Sequence, residues 1–258
     1  MTALRRCIFQ FVWGAQQERI RREIMYRPLQ KGGKNVPDLE KKMEALFLTP
    51  ILQAVLNENR RSLWPNFAMF WVGHQVLRKV GLRPCLKRPH AEKRPVLYER
   101  VVTFVKSGKW RDVGRVDRAF VESCLSPERS RLVTVGALAE ASCLRVWRNV
   151  NSPFLLNADR DLAWQAVQRC LPTRDFLKRR GSSKSARCPR VGCGGDEDVS
   201  HLLWSCGVAR RVWSLLGPWL GDLFRVPTES DVLYGVIKSG DCKGWERWWA
   251  LINCNTKS

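Results

Sequence analysis

Apolar residues along this chain recur at intervals of three and four, the period of a helix face, and no pair of segments keeps the strict alternation of a half-buried strand. Leu39, Met43, Leu46 and Phe47 form one such stripe, which follows the turn signal Gly32-Gly33 and opens at Asp38, a residue suited to capping a helix. Thr49-Pro50 reads as an N-cap with proline at the first helical position, and predicts a second helix with Ile51, Leu52, Val55 and Leu56 inward. Trp64, Phe67, Phe70 and Trp71 also keep helical spacing and are assigned to the core in preference to a base-stacking surface. After Pro95, a stripe of Leu97, Val101, Phe104 and Val105 ends at Ser107-Gly108. Asp117 to Leu125 predicts a helix that buries Val116, Phe120, Val121 and Cys124, and Ser126-Pro127-Glu128 opens a third. The run Gly136 to Trp147 is expected to be helical as well. Asn157 or Asp159 caps a helix carrying Leu162, Ala163, Ala166, Val167 and Cys170. Leu171-Pro172 breaks it, and Thr173 caps a short helix that runs into Lys178-Arg179-Arg180-Gly181. The predicted fold is mostly α, in helical bundle-like segments.

With 258 residues, 45% of them apolar, the chain can bury a real core as one large or two modest domains. Charge narrows the picture further. Lys+Arg 45 against Asp+Glu 24 gives +21, of which residues 1–181 carry +19 and residues 182–258 only +2. A polyanion is the natural partner of such a surplus, and RNA or DNA the commonest; a basic surface kept for solubility, or the interior of a larger particle, is the bland alternative. Within residues 60–95, Arg78, Lys79, Lys87, Arg88, Lys93 and Arg94 lie among Pro84, Pro89 and Pro95, which favour an extended surface connector, so these cations are candidate phosphate contacts. Lys178, Arg179 and Arg180 are further candidates, since three consecutive cations exceed what the dipole of a helix end requires.

The 10 cysteines come without a secretory leader, and no apolar run approaches the roughly 18 residues of a membrane helix. Cys7, Cys85, Cys124, Cys143, Cys170, Cys242 and Cys254 have no mutual metal spacing and read as small hydrophobes in a reducing compartment. These observations predict an intracellular protein, of nucleus or cytoplasm, with no membrane partner. The remaining three cysteines differ. Cys188, Cys193, His201 and Cys206 form a C-x4-C-x7-H-x4-C pattern, and three cysteines with one histidine are a usual tetrahedral set for a structural Zn2+, with no vacancy for substrate. Gly192, Gly194 and Gly195 permit tight turns around the second ligand. His201 and Cys206 are five apart, so an uninterrupted helix would turn them to different faces; the helix is expected to distort near Ser205-Cys206-Gly207, with Gly207 absorbing the turn. Leu202, Leu203 and Trp204 are expected to pack on Val212, Trp213, Leu215 and Leu216 of a helix that stops at Gly217-Pro218, with Arg187 and Arg190 offsetting the thiolate charge.

Two stretches carry a family resemblance. Phe11, Trp13, Gly32, Gly33, Pro37, Asp38 and Ala45 resemble the end of the thumb in reverse transcriptases of LINE-type (non-LTR) retrotransposons. The order Ala163-Trp164, Cys170-Leu-Pro-Thr, Leu177-Lys-Arg-Arg-Gly, Cys188-Pro, Cys193-Gly, Glu197-Asp198, His201-Leu-Leu-Trp-Ser-Cys206 and Ala209 to Trp213 resembles the zinc-binding region at the C-terminus of the same enzymes. The first interval, x4, is one residue longer than the x3 of some members. The resemblance implies domains at 1–57 (thumb end), 58–150 (basic helical linker), 151–217 (zinc module) and 218–258 (a tail cut within a longer domain), and other retrotransposon proteins as further partners. A polymerase needs paired aspartates for its two Mg2+ ions, and the chain has no Asp-Asp pair. The expectation is a non-catalytic nucleic-acid-binding fragment or derivative of such a reverse transcriptase; the alternative is a zinc-stabilised protein-protein interaction module.

Overall fold

A computed structural model of the chain describes residues 2–15, 17–56, 64–81, 94–107, 116–223 and 228–235. In chain order its helices are α1 (Thr2–Trp13), α2 (Arg22–Met25), α3 (Leu39–Leu56), α4 (Trp64–Ala68), α5 (His74–Lys79), α6 (Val96–Lys106), α7 (Arg118–Leu125), α8 (Glu140–Val150), α9 (Asn157–Val167), α10 (Arg174–Arg179), α11 (Gly207–Leu223) and α12 (Glu229–Tyr234). Wide π-helical turns lie at Met69–Gly73 and His201–Ser205. Among the described residues no strand forms beyond an isolated antiparallel bridge between Arg187 and Asp196. The mostly α fold expected from the apolar spacing is present. Among the same residues no helix is long and apolar enough to cross a membrane. The chain divides into two compact units, Met1–Gln16 with Val36–Ser130 and Gln17–Asn35 with Arg131–Ser258.

The first unit is built around α3. Its buried face is Ala45, Leu48, Ile51, Leu52 and Val55, which share a core with Val72, Val76, Val101, Val105 and Val121. Two expectations fail here, both for one reason. No break occurs at Thr49-Pro50: a single helix runs through Pro50, and the buried Thr49 hydroxyl donates to the Ala45 carbonyl at 2.6 Å instead of capping a new helix. Because the helix is continuous, the stronger apolar repeat of its second half sets the phase of the first, leaving Met43 and Leu46 exposed. Asp38 does cap the start, accepting from the Lys41 N–H at 3.4 Å. Further on, Asp117 accepts from the Phe120 N–H at 2.8 Å at the head of α7. Ser126-Pro127 begins a single 3-10 turn, Pro127–Ser130, and not a full helix. The amphipathic α1 lies over a segment for which the sequence suggested no element.

The assignment of the aromatic run to the core is corrected as well. Along α4, the π-helical turn and α5, the buried positions are Ala68, Met69, Val72 and Val76. These smaller side chains fill the core, and the larger rings fall on the other side: Trp64, Phe67 and Phe70 are 44, 61 and 50% exposed. Trp71 alone of the four turns partly inward, with its ring stacked on Tyr98 at 6.4 Å.

In the second unit, the short segment 17–35 is held against α8 and α9 by two buried tryptophans. The Trp164 indole N–H donates to the Gly32 carbonyl at 2.9 Å, and Gln168 donates to the same oxygen at 2.9 Å. Trp147 donates to the Val133 carbonyl, while the Val133 N–H donates to Lys31. Gly32 has φ +87, and a Cβ there would lie 2.5 Å from the Trp147 ring; a Cβ on Gly33 would lie 2.0 Å from the Arg27 carbonyl oxygen. The Gly32-Gly33 signal in the sequence thus marks a place where backbone must approach both backbone and an indole. Helix α11 continues past Gly217-Pro218 to Leu223, contrary to the expected stop. Proline removes one donor N–H at that point, a loss the rest of a long helix tolerates.

Gly33→Ala should destabilise the zinc-loaded chain by about 3 kcal/mol or more, because the obstructing atom is backbone and cannot rotate away. Gly181→Ala, where φ is +72 but nothing lies within 4 Å, should cost only the left-handed penalty of about 1–2 kcal/mol. Denaturant titration of both variants measures the difference.

Candidate metal centre

Cys188, Cys193, His201 and Cys206 present four ligand atoms that all lie within 4.8 Å of one another. The arrangement comes from two backbone devices. Cys188 and Cys193 sit on a knuckle in which the Cys188 N–H donates to the Gly195 carbonyl at 2.9 Å and the Cys193 N–H to the Arg190 carbonyl at 3.1 Å. The tight turn needs a left-handed residue just before Cys193, and Gly192 supplies it with φ +75. Gly195 serves differently from the expectation that it would turn the chain: a Cβ there would stand 2.9 Å from the His201 imidazole. It is small so that the ring can lie against it.

The second device brings His201 and Cys206 together. Residues His201–Ser205 form a π-helical turn in which the Cys206 N–H reaches back five residues to the His201 carbonyl at 2.9 Å. A wider turn brings residues five apart to one side, which an α-helix does not. The distortion falls where the spacing demanded it, but Gly207 does not absorb it. Cys206 itself becomes extended, with φ −60 and ψ 143, and Gly207 is the first residue of α11. Aspartate 198 fixes the start of the turn by accepting from the His201 N–H at 2.7 Å.

The Cys188 and Cys206 sulfurs are 4.0 Å apart, against about 3.8 Å for two thiolates at 2.3 Å from a tetrahedral zinc. The His201 Nε2 is 3.2 Å from the Cys193 sulfur, so Nε2 is the ligand atom. With Nε2 on the metal, Nδ1 keeps the ring proton; it lies 3.4 Å from the Ser205 hydroxyl, which can accept it. Ser205 stands four residues after His201, a spacing that would have suggested this partner in the sequence. The cluster therefore fits Zn2+ in donor type, number and spacing.

Three thiolates and one Zn2+ leave one negative charge, and the protein answers it on one side. Arg190 donates to the Cys206 sulfur at 3.2 Å, a bond that raises the pKa of the guanidinium. Burial opposes ionisation of Cys206, but the Val208 N–H, Arg190 and the neighbouring Cys188 and Cys193 side chains outweigh it and lower its pKa to about 6. Burial pushes the Cys188 thiol the other way. Arg187, the second cation expected to balance the charge, is exposed and makes no bond to the sulfurs among the described residues.

The acidic pair ties the loop to its surroundings. Glu197 accepts from the Arg174 N–H at 3.0 Å and gives its carbonyl to the Asp175 N–H, joining the knuckle to the head of α10. Thr173 caps that helix as expected, accepting from the Phe176 N–H at 3.3 Å. Trp204 packs on Trp213, ring centres 5.6 Å apart, and the Trp213 indole donates to the Leu203 carbonyl; Leu215, expected in this contact, is 79% exposed. Among the other cysteines, burial drives the Cys170 thiol up to about 12, while Cys124 and Cys143 are also buried and Cys7 is exposed. Cys85, Cys242 and Cys254 lie outside the described residues.

The candidate phosphate contacts separate into groups. Arg180 donates to the Glu18 and Arg19 carbonyls at 2.8 and 2.6 Å, so it is a structural clasp on the segment 17–35. Arg179 pairs with Asp175 at 2.8 Å and is 62% exposed at its side chain; Lys178 is exposed with no ion-pair partner among the described residues. In the first unit Arg78 and Lys79 are exposed, whereas the Arg94 side chain is 5% exposed and bound to Glu99. Lys87, Arg88 and Lys93 lie outside the described residues.

Cys188→Ser and His201→Ala should each remove the bound metal, of about one Zn2+ per chain, together with the cooperative unfolding of the second unit; metal analysis paired with thermal unfolding reads both. Arg190→Met should retain the metal but weaken zinc affinity by about 10- to 100-fold in chelator competition, with Arg187→Met close to unchanged.

Comparison with known proteins agrees with this geometry. No curated protein matches the chain. The family described as zinc-binding in reverse transcriptase matches residues 140–213, a span that takes in α8, α9, α10 and all four ligands.

Proposed function

We propose that this chain is a non-catalytic nucleic-acid-binding fragment or derivative of a LINE-type retrotransposon reverse transcriptase, in which Zn2+ on Cys188, Cys193, His201 and Cys206 staples a binding surface. The observation that carries the reading is the coincidence of a closed Cys3His cluster with the stretch that matches the reverse-transcriptase zinc-binding family. All four positions of the tetrahedron are taken by protein, so the ion supplies folding and no open coordination site for chemistry. The surplus of +21 supports a polyanionic partner, RNA or DNA. The LINE-type assignment rests on the order of motifs from Ala163 to Trp213 and on the Phe11 to Ala45 segment. Polymerase chemistry requires paired carboxylates on two metal ions, and the chain has no Asp-Asp pair. Lys178, Arg179, Arg78 and Lys79 are the proposed phosphate contacts, and Arg180 and Arg94 are given structural work by their bonds to Glu18, Arg19 and Glu99. The compartment proposed is the nucleus or cytoplasm, where such a polynucleotide is met.

The test is oligonucleotide binding by the zinc-loaded chain as a function of salt. Affinity should fall steeply between low and physiological salt, and Lys178→Ala with Arg179→Ala should make the log–log slope shallower by about 1–2. A slope that does not change removes these two residues from the interface. Absence of binding even at low salt overturns the reading and leaves the protein-interaction alternative.

A further inference from the structure

The face left open by α4, the π-helical turn and α5 is chemically specific. Trp64, Phe67 and Phe70 succeed one another at three-residue steps, the spacing at which side chains on a helix are neighbours about 5–6 Å apart, and they are 44, 61 and 50% exposed. The opposite side of the same stretch is fully committed: Ala68, Val72 and Val76 are 0% exposed in the core. The rings are therefore not a misplaced core. Phe70 is set edge-on against Trp71 at 4.9 Å, and Trp71 is stacked on Tyr98 at 6.4 Å, so the row is anchored at one end. The same helical stretch then presents Arg78 and Lys79, exposed and without a carboxylate partner among the described residues. No Asp or Glu occurs from Trp64 to Gly81.

Resting on the nucleic-acid reading above, we propose that this face binds single-stranded nucleic acid, with bases stacking on Trp64, Phe67 and Phe70 and phosphates passing to Arg78 and Lys79. Aromatic rings recognise any base through its π-face, and cations beside them hold the backbone. A duplex is excluded as the occupant because its base faces are already stacked on one another, leaving only phosphates to meet apolar rings. The dimensions agree. Trp64 to Phe70 rises about 9 Å along the axis and Phe70 to Lys79 about 13 Å more. At about 3.4 Å per stacked nucleotide the rings span about three bases and the whole face about six.

The experiment compares the zinc-loaded full chain with a Trp64→Ala, Phe67→Ala, Phe70→Ala variant, using a labelled 20-mer of thymidylate and a mixed-sequence duplex of equal length. The variant should lose about a hundredfold or more in affinity for the single strand, since each of three stacked bases contributes more than about fivefold. Duplex affinity should stay within about twofold, zinc content should not move, and the unfolding midpoint should fall only slightly, because the rings are half-exposed and only Phe70 packs on Trp71. Phe67→Ala alone should give a smaller loss on the single strand, and Phe67→Tyr should restore it. Equal single-strand affinity in the triple variant, an equal loss on the duplex, or a tyrosine variant as weak as alanine overturns the proposal while leaving nucleic-acid binding in place. A wild-type dimer that the triple variant turns into a monomer assigns the face to a second copy and also overturns it. A wild-type chain that binds neither probe overturns the parent reading, and this one with it.

Discussion

Four short-range ligands can meet one ion only where the chain reverses twice within a few residues, and that constraint shapes everything between Cys188 and Cys206. The first reversal is affordable to the backbone because Gly192 takes a left-handed φ of +75. The second is met by widening the helix, so that Cys206 hydrogen-bonds to His201 across five residues. Between the two, Gly195 must lack a Cβ for the imidazole to lie where it does. Each of these local departures from regular structure is unfavourable alone. A shared ion gives them a common reason, which is why the knuckle and the π-helical turn are best understood as one unit.

The consequences run outward through hydrogen bonds to ordinary helices. Glu197 joins the knuckle to α10, and Arg180 at the far end of α10 clasps the carbonyls of Glu18 and Arg19. The same early segment is pinned at Gly32 by Trp164 of α9. A stretch near the start of the chain and the zinc module, more than a hundred residues apart in sequence by the Gly32 to Trp164 contact, thus belong to one compact unit. Of the early stretch, Gly32 and Gly33 lie in this unit, whereas Phe11, Trp13, Pro37, Asp38 and Ala45 belong to the other. Two buried indoles, each with its N–H bonded to a backbone carbonyl, leave no unpaired ring donor in that junction.

Much of this was readable in the sequence where chemistry is local. The ligand set, the caps at Asp38 and Thr173, and the Arg190 contact follow from residue type and spacing over a few positions. What could not be read depended on competition across a longer range. Pro50 looks like a helix start until the packing of Leu48, Ile51, Leu52 and Val55 holds the helix straight through it. Trp64, Phe67 and Phe70 look like core until smaller neighbours fill that space first. Gly195 reads as a turn former because composition does not distinguish a glycine that bends from one that makes room, here for the His201 ring; Gly207 simply begins α11. The Arg180 clasp was invisible for the same reason: a cation seeking phosphate and a cation seeking carbonyls are identical in sequence.

The geometry of the cluster calls for one ion held by three sulfurs and one imidazole nitrogen. X-ray absorption at the zinc edge of the purified, metal-loaded chain measures that directly. A Cys3His site gives a four-coordinate shell of three sulfurs at about 2.3 Å and one nitrogen at about 2.0–2.1 Å. A shell dominated by oxygen, a sulfur count of two or fewer, or a coordination number of five or six would contradict it.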